Sequence, residues 1–238
     1  MTTSSEPAEP WAVHLLGGRV VPGGTALWQR AWRTASLQPG ARTLQVGGAS
    51  LSAGSHAPER IRLGAPLPNG PFRTVVTACA AGAYGRTALV QLGERVGPGG
   101  SLVLVELVAS EAIPPPVHTL IAPWHPLSGP VEEVQRRLLD AGLRVSRCSD
   151  EGGALDDWLA RLQRRVLIAR LGGGIPGVPT ADRVPLAEVK EALGLARAAV
   201  DAGQLQLVRL AASRGTPVPA QPTLDPSVLG CDPLTGCC

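Results

Sequence analysis

The sequence predicts an α/β domain built around a mostly parallel sheet, and three observations carry that reading. The first is the order strand, helix, turn, strand between Phe72 and Leu107, because two strands joined through a helix pair in parallel by a crossover. The second is the later alternation of short strands with helical stripes, at Val131, Val134 and Leu138, then Leu155, Trp158, Leu159, Leu162 and Val166, then Leu186, Val189, Leu193, Ala196 and Val200. The third is composition. A chain of 238 residues suits one domain with short extensions, and with 44% apolar residues but only 3% aromatic ones, Leu, Val and Ala must fill its core.

Taken in order, residues 1–13 read as a disordered tail, and Leu15 to Gly24 as a turn-rich entry to a helix at about 25–37 that carries Leu27, Trp28 and Trp32. Pro39-Gly40 ends that helix. Residues 42–46 form a short buried strand running into Gly47-Gly48-Ala49, and 60–63 a weaker one. Residues 72–78 are a firm strand, followed by a helix near 84–96, the turn Gly97-Pro98-Gly99-Gly100 and a strand at 101–107. Residues 114–130 read as irregular, a lid or a surface connection. A helix over 131–138 then stops at Gly142, a strand covers 143–148, and a longer helix breaks at Gly172-Gly173-Gly174. The last helix ends at Gly203, ahead of an alternating strand over 205–210. The Pro-rich stretch from 213 to 238 is expected to be a flexible tail, which leaves 14–212 as the domain.

Several function classes are set aside by charge and hydropathy. A net charge of +3 spread along the chain implies no nucleic-acid partner. No apolar run approaches the ~20 residues needed to cross a bilayer, and the start is polar and acidic, so no membrane partner and a cytoplasmic location are expected. The five cysteines are read as reduced, because Cys231, Cys237 and Cys238 crowd into the last eight residues rather than forming a spaced framework. Those three thiols are candidate ligands for a soft metal or metalloid ion such as Zn(II), Cu(I) or trivalent arsenic, against the alternative of adventitious thiols. Cys79 and Cys148 lie at strand ends and are read either as substrate-facing thiols or as small buried hydrophobes. His118 and His125 sit in the irregular connection with no partner that can be named, and Glu106 closes a strand at the edge where α/β sheets bind ligands.

Four segments carry a resemblance. They are Leu15 to Gly24, Leu37 to Ala49, Gly64 to Val76, and the turn Val96-Gly97-Pro98-Gly99-Gly100-Ser101-Leu102, which is the most specific. Together they resemble the class I S-adenosylmethionine (SAM) methyltransferases of the arsenite and quinone-pathway type, over about residues 14–212. The resemblance implies a Rossmann-like methyltransferase sheet with helices on both faces, and a cofactor held at the glycine loop after the first strand, here Gln45, Gly47, Gly48 and Ala49.

The departures from that pattern bear on activity. The family's loop is D/E-x-G-x-G, whereas Gln45 stands for the acid and Ala49 for the last glycine. Residues 50–58 are too few for the helix, second strand and helix that the family supplies next, so the sheet is expected to be truncated and the ribose-holding acid lost. Ala65 takes the place of the acid after Gly64. The expectation is a degenerate methyltransferase-like protein with no cofactor, serving as a binding or scaffold module for a protein partner or small ligand. The alternatives are an active divergent methyltransferase that binds SAM and acts on a small soft substrate, and a metal- or metalloid-binding protein working through the C-terminal thiols.

Overall fold

Apolar runs between glycines lay down the sheet, and the helices between them bury striped faces against it. The computed structural model describes residues 22–35, 38, 40–48, 58–62, 64–79, 81–124, 126–172 and 186–215. Helix α1 is Gly24–Thr34, followed by strands β1, Thr43–Gly47, β2, Glu59–Ile61, and β3, Phe72–Ala78. A 3₁₀ segment at Ala81–Thr87 leads into α2, Ala88–Glu94, and β4 is Val96–Ala109. Next come α3, Pro115–Ile121, β5, Leu127–Ser128, α4, Val131–Asp140, and β6, Arg144–Asp150. The long α5 is Gly152–Leu171, α6 is Leu186–Asp201, and β7 is Leu205–Ser213.

The sheet order is β2-β1-β3-β4-β7-β6, with β5 beside the end of β4. Strands β2, β1, β3 and β4 run parallel, whereas β7 lies antiparallel between β4 and β6. Strand β3 pairs with β4 only as far as Val105, so β5 takes the vacated edge at Val108 and Ala109.

The buried side chains of β4 alternate between two core layers with the period of two that a pleated strand imposes. Val103, Val105, Leu107 and Ala109 join α1, α3, α5 and α6 in one core layer. Leu102, Leu104 and Val108 join α2 and α4 in the other. This is the predicted α/β class, a central sheet with helices on both faces.

Some expectations need correction. The helix expected at 84–96 is a 3₁₀ segment plus the short α2, because Gly85, with φ 75°, interrupts α-helical geometry and Val96 already pairs with Phe72. The stretch 114–130 is not irregular throughout: Pro115 and Pro116 sit in the first turn of α3, where a missing N–H costs nothing. The second strand, expected to be missing, is present: β2, three residues long, stands at the sheet edge in parallel register with β1, because a short edge strand needs only one neighbour to pair with. No helix lies between β2 and β3 among the described residues. The expected tail at 1–13, and that at 213–238 beyond Gly215, lie outside the described residues.

Candidate functional site

Ligands of parallel α/β sheets bind beyond the carboxyl ends of the strands, so the site is built from the ends of β1, β3 and β4. At the end of β1 the backbone turns through Gly47, φ 64°, and Gly48, φ 73°, both in the left-handed region that favours glycine. Gln45 is buried on this strand, and its Nε2 donates to the Gly47 carbonyl at 3.0 Å. Trp28 of α1 is fully buried, and a Cβ added at Gly48 would stand 2.7 Å from its indole. The second glycine therefore admits an aromatic ring of the protein itself. Ala49, the fourth expected loop residue, lies outside the described residues.

No acid stands at the carboxyl end of β2 or directly after Gly64. The only carboxylate on β2 is Glu59, at the strand's amino end, where it accepts a hydrogen bond from Arg42 at 3.2 Å, and the residue past its carboxyl end is Arg62. After Gly64, the Ala65 carbonyl accepts the Tyr84 hydroxyl at 3.0 Å. Burial raises the Tyr84 pKa against the opposing effect of a backbone hydrogen bond at Gly64, so the phenol stays a proton donor.

At the ends of β3 and β4, Thr77 Oγ1 donates to Glu106 Oε1 at 3.0 Å, and both residues are fully buried. Glu106 thus lies inside the sheet layer rather than facing a ligand edge. Cys79, just past β3, has φ 49° and donates its N–H to the Val105 carbonyl at 2.8 Å. Burial pushes its thiol well above the ordinary value, the Glu106 charge adds to this, and a backbone hydrogen bond at Leu107 opposes it. A thiol held protonated in this way is a poor nucleophile and a poor metal ligand, so Cys79 acts as a small hydrophobe.

The remaining candidates do not converge. Cys148 is exposed on β6 and His118 is exposed on α3, while His125 lies outside the described residues, as do Cys231, Cys237 and Cys238. Among the described residues no three His, Cys, Asp or Glu side chains gather as a metal site. A hollow of about 410 Å³ opens beyond the end of β4, with Ser110, Glu111, Glu132, Gln204 and Gln206 around it. Its carboxylates and amides suit neutral or cationic hydrogen-bonding groups.

Sequence reading located Gln45, Gly47 and Gly48 but not the contacts that occupy them. The Trp28–Gly48 contact had one visible signal, a Trp striping α1 ahead of a Gly-Gly turn. The Thr77–Glu106 pair had a weaker one, polar residues within two apolar strand runs. Gln45 and Ala65 stand where the resemblance calls for acids, and Arg62 follows the carboxyl end of β2.

No protein-family model matches the sequence, and no curated protein matches it. Solved structures do match in fold. A protein designated a sarcosine dimethylglycine methyltransferase from Galdieria sulphuraria superposes with a TM-score of 0.59 at 12% identity, over 86% of this chain and 97% of that one. A cyclopropane synthase from Mycobacterium tuberculosis gives 0.60 at 13% identity, over 79% and 83%. A phosphoethanolamine N-methyltransferase from Haemonchus contortus, in complex with S-adenosylhomocysteine, gives 0.61 at 11% identity, over 87% of this chain and 56% of that one. Among the described residues no helix is long and apolar enough to cross a membrane. The chain has the Rossmann-like α/β fold of the SAM-dependent methyltransferases.

Proposed function

We propose that this protein is a non-catalytic relative of the SAM-dependent methyltransferases that serves as a binding or scaffold module. The observation that carries the reading is the Trp28 indole against Gly48, at the turn where the family's backbone approaches its cofactor. Gln45 supports it, because its amide is turned onto the neighbouring Gly47 carbonyl. A hydrogen bond to a charged partner contributes about 1.5–3 kcal/mol, so losing two or three removes roughly 3–9 kcal/mol if the losses add. At about 1.4 kcal/mol per tenfold, a micromolar dissociation constant would move to the millimolar range or beyond.

Isothermal titration of the full chain with SAM and S-adenosylhomocysteine tests this. The expected result is no saturable binding below about 100 μM, equivalent to about 5.5 kcal/mol. Binding tighter than that would establish the second reading, a divergent methyltransferase acting on a small soft substrate. That reading draws on the S-adenosylhomocysteine bound by the Haemonchus contortus enzyme and on the left-handed Gly47-Gly48 turn retained here.

A further inference from the structure

The carboxyl-terminal half of α5 carries a surface that its role in the core does not explain. Its inner face is buried through Leu162, Val166 and Ala169, yet Leu167, Ile168 and Leu171 are 56%, 65% and 82% exposed. From Arg161 onward the helix bears four arginines, Arg161, Arg164, Arg165 and Arg170, and no carboxylate. Beside it, α5 and α6 part around a hollow of about 380 Å³. Val166, Leu167 and Leu193 supply its apolar wall, and Arg164, Arg170 and Lys190 its charge. Each charged side chain among the described lining residues is a cation. The α6 carboxylates Glu188 and Glu191 stand on the same helix as Lys190 but do not line the hollow.

We propose that this hollow binds an amphipathic anion: an aliphatic or aromatic body against Val166, Leu167 and Leu193, and a single carboxylate or sulfonate head among Arg164, Arg170 and Lys190. Its volume falls in the range of small-molecule sites, roughly 300–1,000 Å³, and an apolar wall with a few convergent polar groups is the usual make-up of such a site. The uniform charge selects the sign of the ligand. A second copy of this chain is disfavoured, because a two-fold contact would bring the same cations face to face. A flat membrane surface is disfavoured by the concavity between the two helices. The proposal does not depend on whether SAM is bound, since the hollow is lined by α5 and α6 and not by the strand ends.

The test is calorimetric titration of the full chain with dodecanoate below its micelle concentration, alongside dodecyltrimethylammonium, which has the same tail and the opposite charge. Dodecanoate is expected to bind one to one in the micromolar range, with the cationic amphiphile weaker by about tenfold or more, a gap of about 1.4 kcal/mol. The double variant R164Q/K190Q and the separate variant Leu167→Asp alter exposed side chains, and circular dichroism checks that each is folded. Each is expected to weaken dodecanoate binding by about tenfold or more. Equal affinity for the two amphiphiles, unchanged affinity in folded variants, or absence of dodecanoate binding would overturn the proposal. Binding to phosphatidylglycerol vesicles without binding of monomeric dodecanoate would overturn it in favour of a membrane-contact surface.

Discussion

The indole of Trp28 lies so close to the backbone of Gly48 that a single methyl group at residue 48 would stand 2.7 Å from the ring. One contact joins the first helix to the turn after the first strand, and it gives Gly48 a packing reason that needs no ligand. Gly48→Ala should therefore destabilise the fold, by about 1–3 kcal/mol, through overpacking in addition to strain at φ 73°. Trp28→Ala should cost about 3–5 kcal/mol through the cavity it leaves. Urea unfolding of the two variants and their double measures the coupling. Additive losses would show that ring and glycine do not oppose one another.

Glu151 sits between two guanidinium groups, accepting from Arg209 Nε at 2.8 Å and from Arg30 at 2.7 Å. Arg209 is itself buried on β7 and also donates to Thr34 Oγ1 at 2.6 Å, so the cluster ties α1 to the antiparallel part of the sheet. Burial pushes the Glu151 pKa up, but the hydrogen bonds and charges of Arg209 and Arg30 outweigh it, and the net shift is downward. A carboxyl depressed in the folded state contributes stability that is complete above its unfolded pKa, about 4.3, and is lost as pH falls through the folded value. Denaturant midpoints should accordingly fall below about pH 4.5 in the natural protein and less steeply in Glu151→Gln. Arg209→Met should cost about 1.5–3 kcal/mol near neutrality, because Glu151 loses its buried partner and keeps only Arg30. A parallel pH profile for Glu151→Gln would refute this account.

Thr77→Val removes the hydroxyl that donates to Glu106 while keeping the shape of a buried side chain. Its expected cost is about 1–3 kcal/mol, the range for a hydrogen bond to a charged group. In a Glu106→Gln background the same change should cost less, since the acceptor no longer carries full charge. Equal costs in both backgrounds would show that Glu106 is neutral in the folded protein.

Removal of residues 216–238 should leave the melting temperature within a few degrees of the full chain. The contacts of Arg214, to the Gly93 and Ala141 carbonyls at 2.8 and 3.1 Å, remain in such a truncation. If the three terminal thiols capture a soft ion, the same truncation should abolish most Zn(II) or trivalent-arsenic binding in a thiol-reduced titration. Undiminished binding would assign the ion to other residues and refute a role for Cys231, Cys237 and Cys238.

The sequence by itself determined the α/β class, the strands at Thr43–Gly47, Phe72–Ala78 and Leu205–Ser213, and the helices at Val131–Asp140, Gly152–Leu171 and Leu186–Asp201. Those elements are legible because the 3.6-residue and two-residue repeats of apolar side chains are imposed locally by backbone geometry. It also determined that Gln45 and Ala65 stand where the resemblance calls for acids, since charge is a property of the residue and not of its neighbours. Only the tertiary structure decided what those positions do instead. Whether Gly48 faces a ligand or Trp28, whether Glu106 faces solvent or Thr77, and whether α5 leaves a hollow beside α6 all depend on contacts between distant segments. The two-residue β5 and the short α3 were missed for the same reason. Neither is long enough to write a period into the chain, and β5 is held by the edge of β4 that β3 leaves free.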